Sequence, residues 1–390
     1  MRPSVSELAH RGPTLRQGET VLPLELFFDL VFVLAITQVT ALMANEPTWA
    51  GLAKGMFVLA AMWWAWTGYA WLTSVVDPEA GIVRLAIAAA MVGLMVCALC
   101  IPHVFNSNGV LFVAAYTIVR TMQLLLFVHA SADEPALRKS TAGLAAATIV
   151  ASGLLLTSTQ FDGYVQASFW ALALTIDFGG GLLADSSGWK LTPGHFTERH
   201  GLIVIIALGE SIVSAGAAAA DVDLTTGVVV AAMLAVALAF AMWWAYFDVV
   251  ALVVAERLAA MQPGERQNVV ARDTYSYLHL PMIAGIVLVA LGLKKTLGHV
   301  DEELKLVPAV ALLGGYALYL LAFVGVRFRN IRTVSKQRLL VALLMLAAIP
   351  LATEVASLLT LAFVTVVACG LVAYEYWMPG EVRARVRSSA

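Results

Sequence analysis

Charge is scarce in this sequence. Only 13% of its 390 residues are Asp, Glu, Lys or Arg, against about 25% in soluble domains. With a mean hydropathy of +0.84, this excludes a soluble globular chain. The formal net charge of -2 holds no basic excess, so no nucleic-acid partner is expected. Cysteine is equally sparse. The three cysteines, Cys97, Cys100 and Cys369, are too few for a disulfide framework and all lie in apolar runs. Cys97 and Cys100 form a C-x-x-C pair, but the surrounding MVGLMVCALCIP offers no further ligand. A zinc site needs a fuller set, so packing is their expected role and no metal is expected. H-E-x-x-H, D-D-x-x-D and Gly-rich nucleotide loops are missing as well, and no cofactor is expected. Residues 1–23 contain Pro3, Pro13, Arg2, Arg11 and Arg16 without an apolar core. They read as a cytoplasmic N-terminal tail, not as a cleavable signal.

What is present is apolar. Hydrophobic residues make up 61% of the chain and gather into runs of about 20 residues, the length that crosses a bilayer core. In hydrocarbon the backbone N–H and C=O groups can satisfy only each other, so each run reads as a helix. The expected fold is an all-α integral membrane protein of about twelve transmembrane helices. They fall at 24–44, 51–74, 82–104, 109–130, 140–158, 164–184, 200–220, 227–252, 273–294, 306–326, 339–357 and 359–378. The expected organisation is a tail 1–23, a first six-helix half 24–184, a cytoplasmic linker 185–199, a second six-helix half 200–378 and a basic cytoplasmic tail 379–390.

Basic residues orient this scheme, because Lys and Arg concentrate in cytoplasmic loops. With the N-terminus inside, Lys54, Lys294, Lys295 and Lys305 lie outside and Arg120 lies within a span; the rest of the 24 basic residues, Arg199 and Arg338 among them, are cytoplasmic. Both termini are then cytoplasmic. The chain also repeats itself: FVLAAMWWAWTGYAW in the second span resembles VALAFAMWWAYFDVV in the eighth, and LELFFDLVFVLAITQ in the first pairs loosely with TERHGLIVIIALGES in the seventh. An even number of spans per half gives a parallel repeat about an axis along the membrane normal. The competing explanation is that Trp-rich helix ends look alike because Trp favours interfaces.

Charged residues inside spans cost several kcal/mol each, so they face the bundle interior and pair with something. By helical rise, Arg120 lies roughly 16 Å from the outer surface and Glu210 roughly 15 Å from the inner one, both near the midplane. A mutual ion pair is expected. Asp29, Asp177 and His279 form a layer about 10 Å from the inner surface, with Asp248, Glu25, Asp77 and Glu375 nearer still. That density suggests a polar vestibule open to the cytoplasm. The plainer role, preferred for Glu25, Asp77 and Glu375, is capping a helix end or pairing with an inner-loop arginine. Glu25 and Asp29 share a helical face that Thr40 rejoins about 20° off, while Gln38 points away. Glu25 is therefore expected to reach cytoplasmic water or Arg16, leaving Asp29 in need of a partner. Ala207, Ser211 and Ser214 give a small face beside Glu210. Tyr275 and His279 share a face just before Pro281, which frees a backbone carbonyl. Trp63, Trp64, Trp243 and Trp244 read as packing or interface anchors. GLLADSSGWK, from Gly181 to Lys190, resembles a loop motif of major facilitator proteins, but it follows the sixth span instead of the second and is taken as chance.

Jointly, PLELFFDLVFVLAITQ, HFTERHGLIVIIALGESIVSAG, MWWAYFD and YSYLHLPMIAGIVL resemble the signature segments of the bacterial low temperature requirement A family, over about residues 22–378. The matching positions are Glu25, Phe28, Asp29, Gln38, Glu198, Arg199, Gly209, Glu210, Ser211, Trp243, Trp244, Asp248, Tyr275, Tyr277, His279 and Pro281. The resemblance implies a polytopic protein of the bacterial inner membrane, linked by name to growth in the cold, with no established substrate or reaction.

A proton-coupled secondary transporter ranks first among the functions, with Asp29, Arg120, Asp177, Glu210, Asp248 and His279 as substrate or coupling candidates. Its substrate would be anionic or amphipathic, a small molecule or a lipid. An intramembrane enzyme acting on lipid or polyprenyl substrates ranks second, using Asp29, Asp248 and His279. A sensor or scaffold ranks third, because no soluble signalling domain is visible. The lipid bilayer is an expected partner, and homo-oligomerisation is left open.

Overall fold

The structure, a computed structural model, describes residues 18–79, 81–131, 134–248 and 250–377. The expected tail 379–390, most of the tail 1–23 and the span residues Val249 and Met378 lie outside the described residues, as does Arg16. Among the described residues the regular elements are helices: α1 (Pro23–Asn45), α2 (Trp49–Val75), α3 (Gly81–Cys100), α4 (Gly109–Ala130), α5 (Pro135–Ser158), α6 (Gly163–Leu183), α7 (Pro193–Ala220), α8 (Thr226–Phe247), α9 (Val250–Ala259), α10 (Glu265–Ala271), α11 (His279–Gly298), α12 (Leu306–Ala309), α13 (Gly315–Ile331), α14 (Lys336–Ala352) and α15 (Ser357–Trp377). Nine helical stretches among the described residues are long and apolar enough to cross a membrane. The chain is a multi-pass membrane protein.

Helix starts follow local chemistry. Pro23 opens α1 at the position where a missing N–H costs nothing, and Glu25 reaches back to accept from the Leu22 N–H at 2.9 Å. Thr225 caps α8 by accepting from the Val228 N–H at 3.3 Å. Helix α7 begins at Pro193, so Glu198 and Arg199 belong to a helix and not to the linker 185–199 expected from the sequence. The expectation failed because polar residues in HFTERH mask a helix whose buried side is polar.

The chain divides into two units. Unit one takes the residues up to Val39, Ala53–Arg199 and Met261–Arg272; unit two takes Thr40–Leu52, His200–Ala260 and the residues from Asp273 onward. In unit one, small residues let helices close on one another. A Cβ on Gly180 of α6 would lie 2.3 Å from the Ala147 Cβ of α5, and this approach brings Thr148 beside Asp177. Gly68 of α2 leaves the space that the Gln123 amide of α4 fills: a Cβ there would sit 2.2 Å from Nε2. Trp64 stacks on Phe178 at 4.2 Å. In unit two, α11 meets α13 backbone to backbone, since a Cβ on Gly285 would lie 2.7 Å from the Gly315 carbonyl oxygen. Among the described residues two segments are π-helical, Arg272–Tyr277 before α11 and Val310–Gly314 before α13.

Candidate functional site

In unit one, the α7 residue Arg199 holds two acids of α1. Its guanidinium donates to Asp29 through Nη2, and through Nη1 to Glu25 at 3.3 Å and Thr73 at 3.1 Å. His195, one turn earlier on α7, donates from Nε2 to Glu25 at 2.8 Å. The carboxylate can only accept, which puts the proton on that ring nitrogen. Trp66 Nε1 donates to Asp29 at 2.8 Å, and the Arg199 guanidinium also lies 5.5 Å from the Trp66 ring centre. Glu25 is 1% exposed, so the expected reach to cytoplasmic water is corrected: it is buried between a cap, a histidine and an arginine. Arg199 is corrected as well, from a loop cation to a buried counter-ion. Nearby, Glu198 is exposed and accepts from the Val21 N–H at 2.9 Å.

A second cluster ties together α4, α5 and α6. Arg120 donates from Nη1 to Gln123 at 2.6 Å, and from Nη2 to Thr148 at 2.9 Å and Asp177 at 3.1 Å. Asp177 also accepts from Thr148 at 3.0 Å and from the Tyr116 hydroxyl at 3.4 Å. The partner of Arg120 is thus Asp177, and the ion pair expected with Glu210 is overturned. Depth estimates placed Arg120 and Glu210 at one level, but depth fixes no azimuth, and Asp177 is brought in by the close α5–α6 contact. Asp29, Asp177 and His279 are all buried.

In unit two, Glu210 of α7 is 1% exposed. Thr40 of α1 donates to its Oε2 at 3.5 Å, and Oε1 makes no hydrogen bond. The small residues around it are spent elsewhere, with Ser211 Oγ donating to the Leu208 carbonyl at 2.7 Å, while Gly209 lies on the exposed side.

His279 has both ring nitrogens engaged. Nδ1 faces the Thr274 carbonyl at 2.8 Å and must carry the proton; Nε2 then accepts from the Tyr246 hydroxyl at 3.0 Å. This explains the π-turn. Leu278 N–H donates five residues back, to Asp273 O at 3.1 Å, which leaves the Thr274 carbonyl for the imidazole. Asn330 donates to the Thr274 hydroxyl at 3.0 Å and Arg329 to Asp273 at 2.9 Å, bracing the turn from α13. Tyr275 stacks on His279 at 4.9 Å, and Tyr277 ends the π-segment. Arg338, counted as a loop cation, is buried in α14; it pairs with Glu375 of α15 at 2.8 Å and donates to the Ala245 carbonyl at 3.1 Å.

The remaining candidates are placed as follows. Asp248 closes the C-terminus of α8 and is half-buried. Trp243 is exposed and stacks on Phe247, and Trp244 meets Phe240 edge-on. Gln38 is half-buried. Asp77 caps a turn by accepting from the Glu79 N–H at 2.9 Å. Cys97 donates weakly to the Phe112 carbonyl at 3.8 Å, and both it and Cys100 are free thiols. The GLLADSSGWK segment is held by its own unit: Asn268 donates to the Ser186 and Trp189 carbonyls, each at 2.8 Å. His195, Thr73, Trp66, Thr148 and Tyr116 were missed from the sequence. Trp66 carried a signal in its place in the repeated Trp-rich segment, and His195 in opening the HFTERHGLIVIIALGESIVSAG segment.

The chain is similar to an uncharacterized protein of Rhizobium meliloti (strain 1021), at 27% identity over 309 residues that cover 76% of this chain and 74% of that protein. No solved structure matches it. Residues 20–373 match the family described as Bacterial low temperature requirement A protein (LtrA). With nearly its whole length in that match, the chain belongs to the bacterial low temperature requirement A family.

Proposed function

We propose that the protein is a proton-coupled secondary transporter of the bacterial inner membrane, acting on an anionic or amphipathic solute. The observation that carries this reading is that ionisable side chains are buried on the helices of an apolar chain, Asp29, Arg199, Arg120, Asp177 and Glu210 among them. Such groups are costly in hydrocarbon and mark ion and substrate pathways. Alongside it stand the expectations of twelve spans, two parallel six-helix repeats and cytoplasmic termini, supported by helices at each apolar run and by the distribution of Lys and Arg. The enzyme reading draws less support, because the Asp29 carboxyl and the His279 ring are each engaged by internal partners.

The test is uptake by lipid vesicles holding the purified full chain, with an acid-outside pH gradient and pooled bacterial metabolites and lipids as solutes. Gradient-dependent accumulation of one solute class is expected. No accumulation across the whole panel, in vesicles whose protein is folded, would refute the reading.

A further inference from the structure

Of the candidate carboxyls of the transport reading, Asp29, Asp177 and Glu210 are buried, and their surroundings are not equivalent. Asp29 is held by Arg199 and by the Trp66 indole. Asp177 is held by Arg120, Thr148 and Tyr116. Protonating either would leave a buried guanidinium without its counter-charge, which low-dielectric surroundings penalise heavily. Among the described residues, Glu210 has no cation in hydrogen-bond contact. Its Oε2 meets Thr40 at 3.5 Å, near the limit for a hydrogen bond, and its buried Oε1 meets no donor. An ionised carboxylate so placed is poorly compensated, whereas a protonated one leaves no charge behind.

We infer that Glu210 is the carboxyl that takes up and releases a proton, with Thr40 as its hydrogen-bond partner in both states. Uptake forms one O–H bond on the carboxylate and consumes one proton from the aqueous phase; release reverses it, with no other bond changed. The contact with Thr40 suits both states. The hydroxyl donates to the carboxylate, and it accepts once Oε2 carries the proton. Among the described residues, the groups that act on Glu210 are the Thr40 hydroxyl of α1 and Lys294 of α11, the charged side chain whose field reaches it.

The choice of Glu210 among the three rests on the transport reading, but its test does not need a substrate. The full chain in lipid bilayers is titrated with acid while infrared difference spectra follow the C=O stretch of buried protonated carboxyls. Wild type is expected to gain one such band reversibly, Glu210→Gln to lose it, and Asp177→Asn and Asp29→Asn to keep it. Thr40→Val, which preserves shape, keeps the band but moves its frequency, and so guards against loss by misfolding. A band that survives unchanged in folded Glu210→Gln, or that vanishes in folded Asp177→Asn, would overturn the assignment. Vesicles without flux, alongside a band lost in Glu210→Gln, would remove the transport reading and leave this proton site standing.

Discussion

Replacing Asp177 with Asn deletes one charge and almost no volume. In the native cluster Arg120 Nη2 lies 3.1 Å from Asp177 Oδ1, and both side chains are 3% exposed. The variant keeps the Gln123 and Thr148 contacts at 2.6 and 2.9 Å, but these are neutral and cannot compensate a buried guanidinium. Breaking a buried pair from one side costs about 3–5 kcal/mol, a large share of a total stability of about 5–15 kcal/mol. Arg120→Met should cost a similar amount by stranding Asp177. The double variant Arg120→Met/Asp177→Leu should recover to within about 2 kcal/mol of wild type, because neither charge is then stranded. Unfolding in mixed micelles with rising denaturing detergent, followed by tryptophan fluorescence, measures all four corners of the cycle. A cost below about 1 kcal/mol for Asp177→Asn, or a double variant as unstable as the two single losses combined, would refute the reasoning.

Three further outcomes follow from the same geometry. Gly68→Ala places a Cβ 2.2 Å from Gln123 Nε2 and should cost about 1–3 kcal/mol by overpacking; adding Gln123→Ala should restore most of it in the same melt. His279→Ala strands the Tyr246 hydroxyl and the Thr274 carbonyl, at about 1–3 kcal/mol for each buried group, while Tyr246→Phe should cost only about 1 kcal/mol; faster hydrogen exchange at Leu278 in the first variant and not the second would mark release of the π-turn. In the loop after α6, the Ser187 hydroxyl and N–H, together with Lys139, hold the Asp185 carboxyl below its ordinary range. Its contribution is present above the usual carboxylate range and is lost as pH falls through the lowered value, so proteolysis at Asp185–Lys190 should quicken in acid, and Asp185→Asn should abolish that pH dependence.

The helices were legible because apolar runs in hydrocarbon leave the backbone one solution, and their polar positions were legible because each costs energy. Partners were not. Rise per residue put Arg120 and Glu210 at one depth, yet pairing depends on which helices touch. That is set by small residues such as Gly180 against Ala147, a contact that sequence spacing does not encode. Thr40 was readable only as a residue rejoining the face of Asp29; its actual partner is Glu210, since a long helix passes from one set of neighbours to another along its length. The buried pairing of His195 and Arg199 was hidden for a different reason. A polar stretch ahead of an apolar run reads as a loop, and here it is the first turns of a helix whose charges are buried.

The decisive measurement is proton movement coupled to solute. Vesicles carrying the full chain and an internal pH dye are presented with the solute that accumulates in the metabolite screen, with no gradient imposed. Wild type should acidify or alkalinise the interior in step with solute entry. Glu210→Gln should still exchange labelled for unlabelled solute yet move no protons. Solute-driven pH changes of equal size in wild type and Glu210→Gln, or solute entry that never moves a proton in wild type, would show that transport does not run through this carboxyl.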